Sequence, residues 1–144
     1  MITYQKAEII FDGTKYFTNK YFQRYDRTID QMVQAARSGK QNIVEASMAS
    51  DTSKETEIKL NHVALASLEE LLIDYKYFMR NNKLKFRDKG HPYYSKLKQK
   101  HKTPNANYET YKKGIESLDP EVSVNVMISL MNVTFYLLAQ QIKR

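Results

Sequence analysis

The chain has 144 residues, 23 Lys and Arg against 16 Asp and Glu for a formal net charge of +7, and no cysteine. That length suits one domain with a real core, and the missing thiols exclude a disulfide framework, a thiolate metal site and a cysteine nucleophile. A hydrophobic share of 42% excludes wholesale disorder, while four Gly and three Pro supply too few turns for an all-β protein.

The N-terminal stretch contains Lys6 and Glu8, and its apolar run Ile9-Ile10-Phe11 is too short for a secretory signal, so a cytoplasmic protein is expected. Ala7, Ile10, Phe11, Thr14, Phe17 and Tyr21 recur at helical spacing and predict a first helix over about 4–22. Asp12-Gly13 between two apolar runs is a rival hairpin signal, but Ala7 to Phe11 does not alternate as a half-buried strand does. A second helix is predicted over 28–49, with Thr28 and Gln31 at capping-box spacing and Ile29, Met32, Val33, Ala36, Ile43 and Ala46 on its apolar face. Gly39 falls near that face and permits close approach of a neighbouring helix, or marks a local irregularity.

Thr52 and Glu55 repeat the capping spacing and open a third helix, over about 53–80. Its core stripe reads Leu60, Val63, Ala64, Ser67, Leu68, Leu71, Leu72, Tyr75, Phe78 and Met79. Periodicity then weakens over 82–118, where Gly90-His91-Pro92, Thr103-Pro104-Asn105 and Gly114 are turn signals, so a partly irregular insert is expected there. Asp119-Pro120-Glu121 starts a last helix over 120–142, closed by the cations Lys143 and Arg144. The fold class is therefore all-α: a single up-and-down antiparallel four-helix bundle over 1–144, with an insert between its third and last helices.

The charge sits in one place. Lys83, Lys85, Arg87, Lys89, Lys96, Lys98, Lys100 and Lys102 face Asp88 alone between residues 82 and 102, which leaves the rest of the chain neutral. Phe86, Tyr93 and Tyr94 are interleaved with these cations, a pattern that suits phosphate contact with stacking on unpaired bases. Seven Lys to one Arg favours diffuse backbone contact over bidentate base reading. The plainer readings are a solvated, solubilising loop, and aromatic rings that pin the insert to the bundle.

The stretch Val122 to Ile142 has no charge, and its length permits a membrane span. Asn125, Ser129, Asn132, Tyr136 and Gln140 nevertheless form a narrow polar stripe along it. Burial on two sides, by its own bundle and by another subunit, accounts for that pattern better, so Asn125, Ser129, Asn132 and Tyr136 are candidate oligomer-interface residues and no membrane is expected.

Catalytic and metal signatures are thin. No Glu is followed by His at the third position, so a di-iron bundle site fails; His62, His91 and His101 have no neighbouring ligand set. Glu70 and Asp74 share a helical face, with Glu69 adjacent, but as an acid–base pair they need a cleft and a partner that the sequence does not supply. No catalytic residue, cofactor or metal is assigned.

Gln34-Ala-Ala-Arg-Ser-Gly-Lys-Gln-Asn-Ile-Val-Glu-Ala-Ser47 resembles the Asn-Ile-Ala-Glu-Gly signature of the bacterial proteins encoded by intervening sequences in large-subunit ribosomal RNA genes, a family that includes the accessory variability protein of diversity-generating retroelements. Ser53-Lys-Glu-Thr-Glu57 and Val63-Ala-Leu-Ala-Ser-Leu-Glu-Glu-Leu71 resemble that family's third helix. The likeness covers Thr28 to about Tyr77, with Ala46 and Ala66 where the family usually has Gly. It implies a bundle assembled as a ring, a homopentamer, with a basic surface that engages RNA or DNA. By matching positions Arg37, Asn42 and Glu45 are the motif's polar residues, with a helix–helix bonding role or a binding role. The reading is thus a homo-oligomeric, non-catalytic nucleic-acid-binding or accessory protein, with a protein–protein scaffold as the alternative.

Overall fold

The computed structural model describes residues 2–143. Six helices follow one another: α1 (Ile2–Tyr21), α2 (Arg27–Ala49), α3 (Lys54–Asn81), α4 (Pro92–Lys100), α5 (Tyr108–Ile115) and α6 (Pro120–Lys143), with no strand among the described residues. The protein is all-α. The expected four helices are there within two residues at each end, and the insert adds two short ones. Arg144, the second of the expected terminal cations, lies outside the described residues.

Helix starts follow from local chemistry, with small shifts from expectation. Asp26, not Thr28, caps α2 by accepting from the Thr28 amide at 2.9 Å. Ser53, not Thr52, caps α3 through the Thr56 amide. Asp119 accepts from the Glu121 amide at 3.0 Å, ahead of Pro120. Gly90-His91-Pro92, expected as a turn, starts a helix, because His91 Nδ1 accepts from the Tyr93 amide and Pro92 needs no N–H partner in the first turn. Asn107 and Thr110 cap each other reciprocally at the start of α5. α3 stops where Lys83 adopts a positive φ of 55° and the Leu84 amide returns to the Met79 carbonyl.

The long helices pack in a closed circuit, α1 on α2, α2 on α3, α3 on α6 and α6 on α1, while α5 lies against α1 and α6. One contiguous buried cluster draws on all six helices. Phe17 of α1 reaches across it to Tyr75 and Phe78 of α3, and Thr14 shares a 2.8 Å hydrogen bond with the Tyr75 hydroxyl. Asp12-Gly13 is helical, which resolves the rival hairpin signal. Of the expected α3 stripe, Val63 turns outward, 42% exposed, and joins Ile73 and Tyr77 on the helix's outer face.

Gly39 faces Leu68 of α3. A Cβ built at Gly39 lies 2.7 Å from Leu68 Cδ2 and 2.8 Å from Cγ, and a branch atom cannot swing away as a chain end can. Gly39→Ala adds about 1 kcal/mol of helix propensity but overpacks this contact by about 1–3 kcal/mol. The expected result is a net loss of stability in urea denaturation, with Leu68→Ala in the same chain relieving the overpacking. A neutral or stabilising single substitution would show that α2 and α3 are not this close.

Candidate nucleic-acid interface

The insert is fastened to α6 through its first residues. Asn125, 1% exposed, accepts from the Arg87 amide at 2.7 Å and donates to the Lys85 carbonyl at 2.9 Å and to the Glu121 carbonyl. Its side chain thus holds residues 85–87 as a neighbouring strand holds backbone. Glu121 accepts from the Lys85 amide and pairs with the Arg87 guanidinium at 3.0 Å, and the backbone bond, followed by Arg87, holds its carboxyl below the ordinary range. Asp119 adds a 3.7 Å contact to the same guanidinium.

Two expectations change here. Arg87 is grouped by sequence with the nucleic-acid-binding cations, but its side chain is only 16% exposed and its charge is spent on Glu121 and Asp119. Its guanidinium also lies over the Tyr93 ring, 5.3 Å from the centroid, so Tyr93 is a half-buried anchor of the insert. Asn125 and Ser129, expected at an oligomer interface, are used within the chain. The physical reason is that the insert itself supplies the second layer over the first half of α6. Asn132 and Tyr136, farther along the same stripe, are exposed, Tyr136 at 63%.

His101, which has no local ligand set in the sequence, is the centre of a second fastening. Its Nδ1 lies 2.8 Å from the Tyr111 hydroxyl and its Nε2 2.7 Å from Ser129 Oγ, tying α4 to α5 and α6. Its backbone carbonyl accepts from Lys6 Nζ of α1 at 3.3 Å. Burial, and then the Lys6 charge, hold the imidazole down at about 4, so it is neutral near pH 7. Lys6 is itself buried, and burial lowers its own pKa. No periodicity rule places a lysine in a core, and His101's partners lie 10 and 28 residues away, so neither had a sequence signal.

The seven lysines 83, 85, 89, 96, 98, 100 and 102 are exposed, and among the described residues none of them forms an ion pair. On α4 the alternation does not make a single stripe. Leu97 faces the core, and at 100° per residue Lys96 and Lys100 lie on one flank of α4 and Lys98 on the other, where Lys102, just past the C-cap His101, borders the same cleft as Lys98. Tyr94 is half-buried on the Lys98 side, where it lines a cleft with Phe86. The cationic surface is thus part irregular backbone, carrying Lys83, Lys85 and Lys89, and part helix, on and just after α4.

The residues carried by the family likeness separate. Asn42 donates to the Ser38 carbonyl and hydroxyl, and Ser38 bonds Ser67 of α3 at 2.9 Å, so Asn42 belongs to an α2–α3 network. Arg37 and Glu45 are exposed. Glu70 and Asp74 lie on α3, where burial and then Glu70 raise the Asp74 carboxyl. Among the described residues no three His, Asp or Glu side chains are grouped to hold a metal. α6 is long and apolar enough to cross a membrane by length and composition, and 56% of an 18-residue apolar stretch within it is buried inside the protein's own fold. Comparison with protein-family models, characterised proteins and solved structures finds no significant match to the chain.

Proposed function

We propose that this protein is a homo-oligomeric, non-catalytic nucleic-acid-binding or accessory protein that contacts RNA or DNA backbone through the lysines of its insert. The observation that carries this reading is the set of seven exposed lysines, without acidic partners among the described residues, on a segment fastened at Asn125, Arg87 and His101. A solubilising loop needs charge but no such fastening, whereas a phosphate-binding surface gains from having its cations held in place before binding. In the same reading the four long helices form an up-and-down antiparallel four-helix bundle, for which their closed circuit is the support. The likeness of Gln34–Ser47 to the intervening-sequence family supports a ring of subunits, a homopentamer, with exposed Asn132 and Tyr136 at its contacts.

The test is a salt titration of single-stranded RNA and double-stranded DNA binding, run alongside light scattering. Lys96, Lys98, Lys100 and Lys102 replaced together by Gln are expected to weaken binding without altering sequence preference, and to flatten the slope of log K against log salt by about 3. No binding by the unaltered protein at low salt would overturn the nucleic-acid reading, and a monomer at micromolar concentration would overturn the oligomer.

The alternative, a protein–protein scaffold, is favoured by one feature: Val63, Ile73 and Tyr77 form an exposed apolar line on α3 beside Glu69 and Glu70. Function unaffected by neutralising the four lysines, but lost on Ile73→Asp, would select it.

A further inference from the structure

A cleft of about 590 Å³ lies between α4 and α6 and closes against α1. Its volume is in the range of sites that enclose small organic molecules. Val133 and Leu137 of α6 supply an apolar wall, and Tyr94 and Leu97 of α4 lie opposite. Lys6 also lines the cleft, yet is only 2% exposed overall, so its stem is packed in protein.

Lys6 is an unusual group to find there. Its ammonium has three donors, and the His101 carbonyl takes one of them. That carbonyl caps the C-terminus of α4, whose dipole offers partial compensation. Among the described residues Lys6 forms no ion pair. Burial without a counter-charge is costly, and it draws the amine's pKa below the ordinary lysine value. An anion in the cleft would remove that cost by supplying the missing charge. Ser129 Oγ also lines the cleft, and in the tautomer where His101 Nε2–H donates to it, its own hydroxyl proton is free for a ligand oxygen.

We propose that this cleft is a binding site for a small organic monocarboxylate, its carboxylate on Lys6 and Ser129 and its apolar body along Val133 and Leu137. One buried ammonium matches one negative charge, which favours a carboxylate over a phosphate dianion. Lys98 and Lys102 at the rim add attraction for an approaching anion but are exposed and screened. The cleft shares Lys98 and Lys102 with the backbone-binding surface, and what distinguishes it is Lys6, which is buried where the surface lysines are exposed.

Calorimetric titration of the full chain with octanoate, and with octan-1-ol as its uncharged counterpart, tests the proposal. Octanoate is expected to bind about tenfold or more tighter than the alcohol, the difference a charged hydrogen bond makes. Lys6→Met keeps the apolar stem and is expected to abolish that preference, while Val133→Phe fills the cleft and is expected to weaken both ligands. Circular dichroism reports whether each variant folds; if Lys6→Met does not, the octanoate-to-octanol ratio and Val133→Phe still decide. Absence of octanoate binding at millimolar concentration, equal binding of the two ligands, or a preference that survives Lys6→Met would overturn the site. Lys96→Gln with Lys100→Gln, which lie on the far flank of α4, should weaken nucleic-acid binding and leave octanoate binding intact, so that failure of either reading is seen apart from the other.

Discussion

Phe17→Ala should lower stability by about 3–5 kcal/mol in urea denaturation, and the melting temperature by roughly 10 °C. Phe17 is fully buried, and its ring meets four others: Tyr21 at 4.8 Å, Phe78 at 4.8 Å, Tyr75 at 5.0 Å and Phe22 at 6.4 Å between centroids. The contacts to Tyr75 and Phe78 are edge-on, at 66° and 76°, the arrangement in which ring quadrupoles attract. Truncation removes those contacts and leaves a cavity walled by two long helices that cannot both move in to fill it. It also loosens the Tyr75 hydroxyl, which is held at Thr14 one turn earlier on α1. A cost under about 1 kcal/mol would mean that α1 does not pack across the core against α3.

Acidification from pH 6.5 to 4 is expected to cost on the order of 2 kcal/mol through His101 alone, after allowance for the partly exposed ring. The folded imidazole is held at about 4, against an ordinary value of 6.5. Between those values the unfolded chain binds more protons than the folded one, so stability falls as pH falls through that window and is unaffected by His101 above it. Both hydroxyl partners can turn to accept from a protonated ring, so the hydrogen bonds survive. The cost lies in burying a new positive charge, next to that of Lys6. Glu121 and Asp74 also titrate in acid, with shifts of opposite direction, so the measurement is the difference between the natural protein and His101→Gln at each pH. That difference should narrow by about 2 kcal/mol as pH falls to 4. A constant difference would show that His101 is not held neutral by its surroundings.

The lysine segment is the place where sequence and structure diverge most usefully. Eight cations in 21 residues are visible by counting, and counting treats them alike. In the fold Arg87 leaves the set, because Glu121 and Asp119 lie at the N-terminus of a helix that starts more than thirty residues later. The other seven remain exposed, and α4 divides Lys96 and Lys100 from Lys98 between its two flanks. The same holds for the polar stripe of α6. Its spacing is legible at once, but whether a subunit or the protein's own insert bonds to it is not, and for Asn125 and Ser129 the insert does.

The amino-acid sequence by itself determined the four long helices, their ends to within two residues, most of the buried faces and the location of the charge. Those properties follow from period and capping, which act within one or two turns of chain. Only the tertiary structure decided that the insert holds α4 and α5, that Arg87 is an anchor, and that Lys6, His101, Tyr111 and Ser129 meet at one place. Each of these depends on partners far apart in the chain, and on desolvation that exists only once the helices have packed, so no local pattern could carry them.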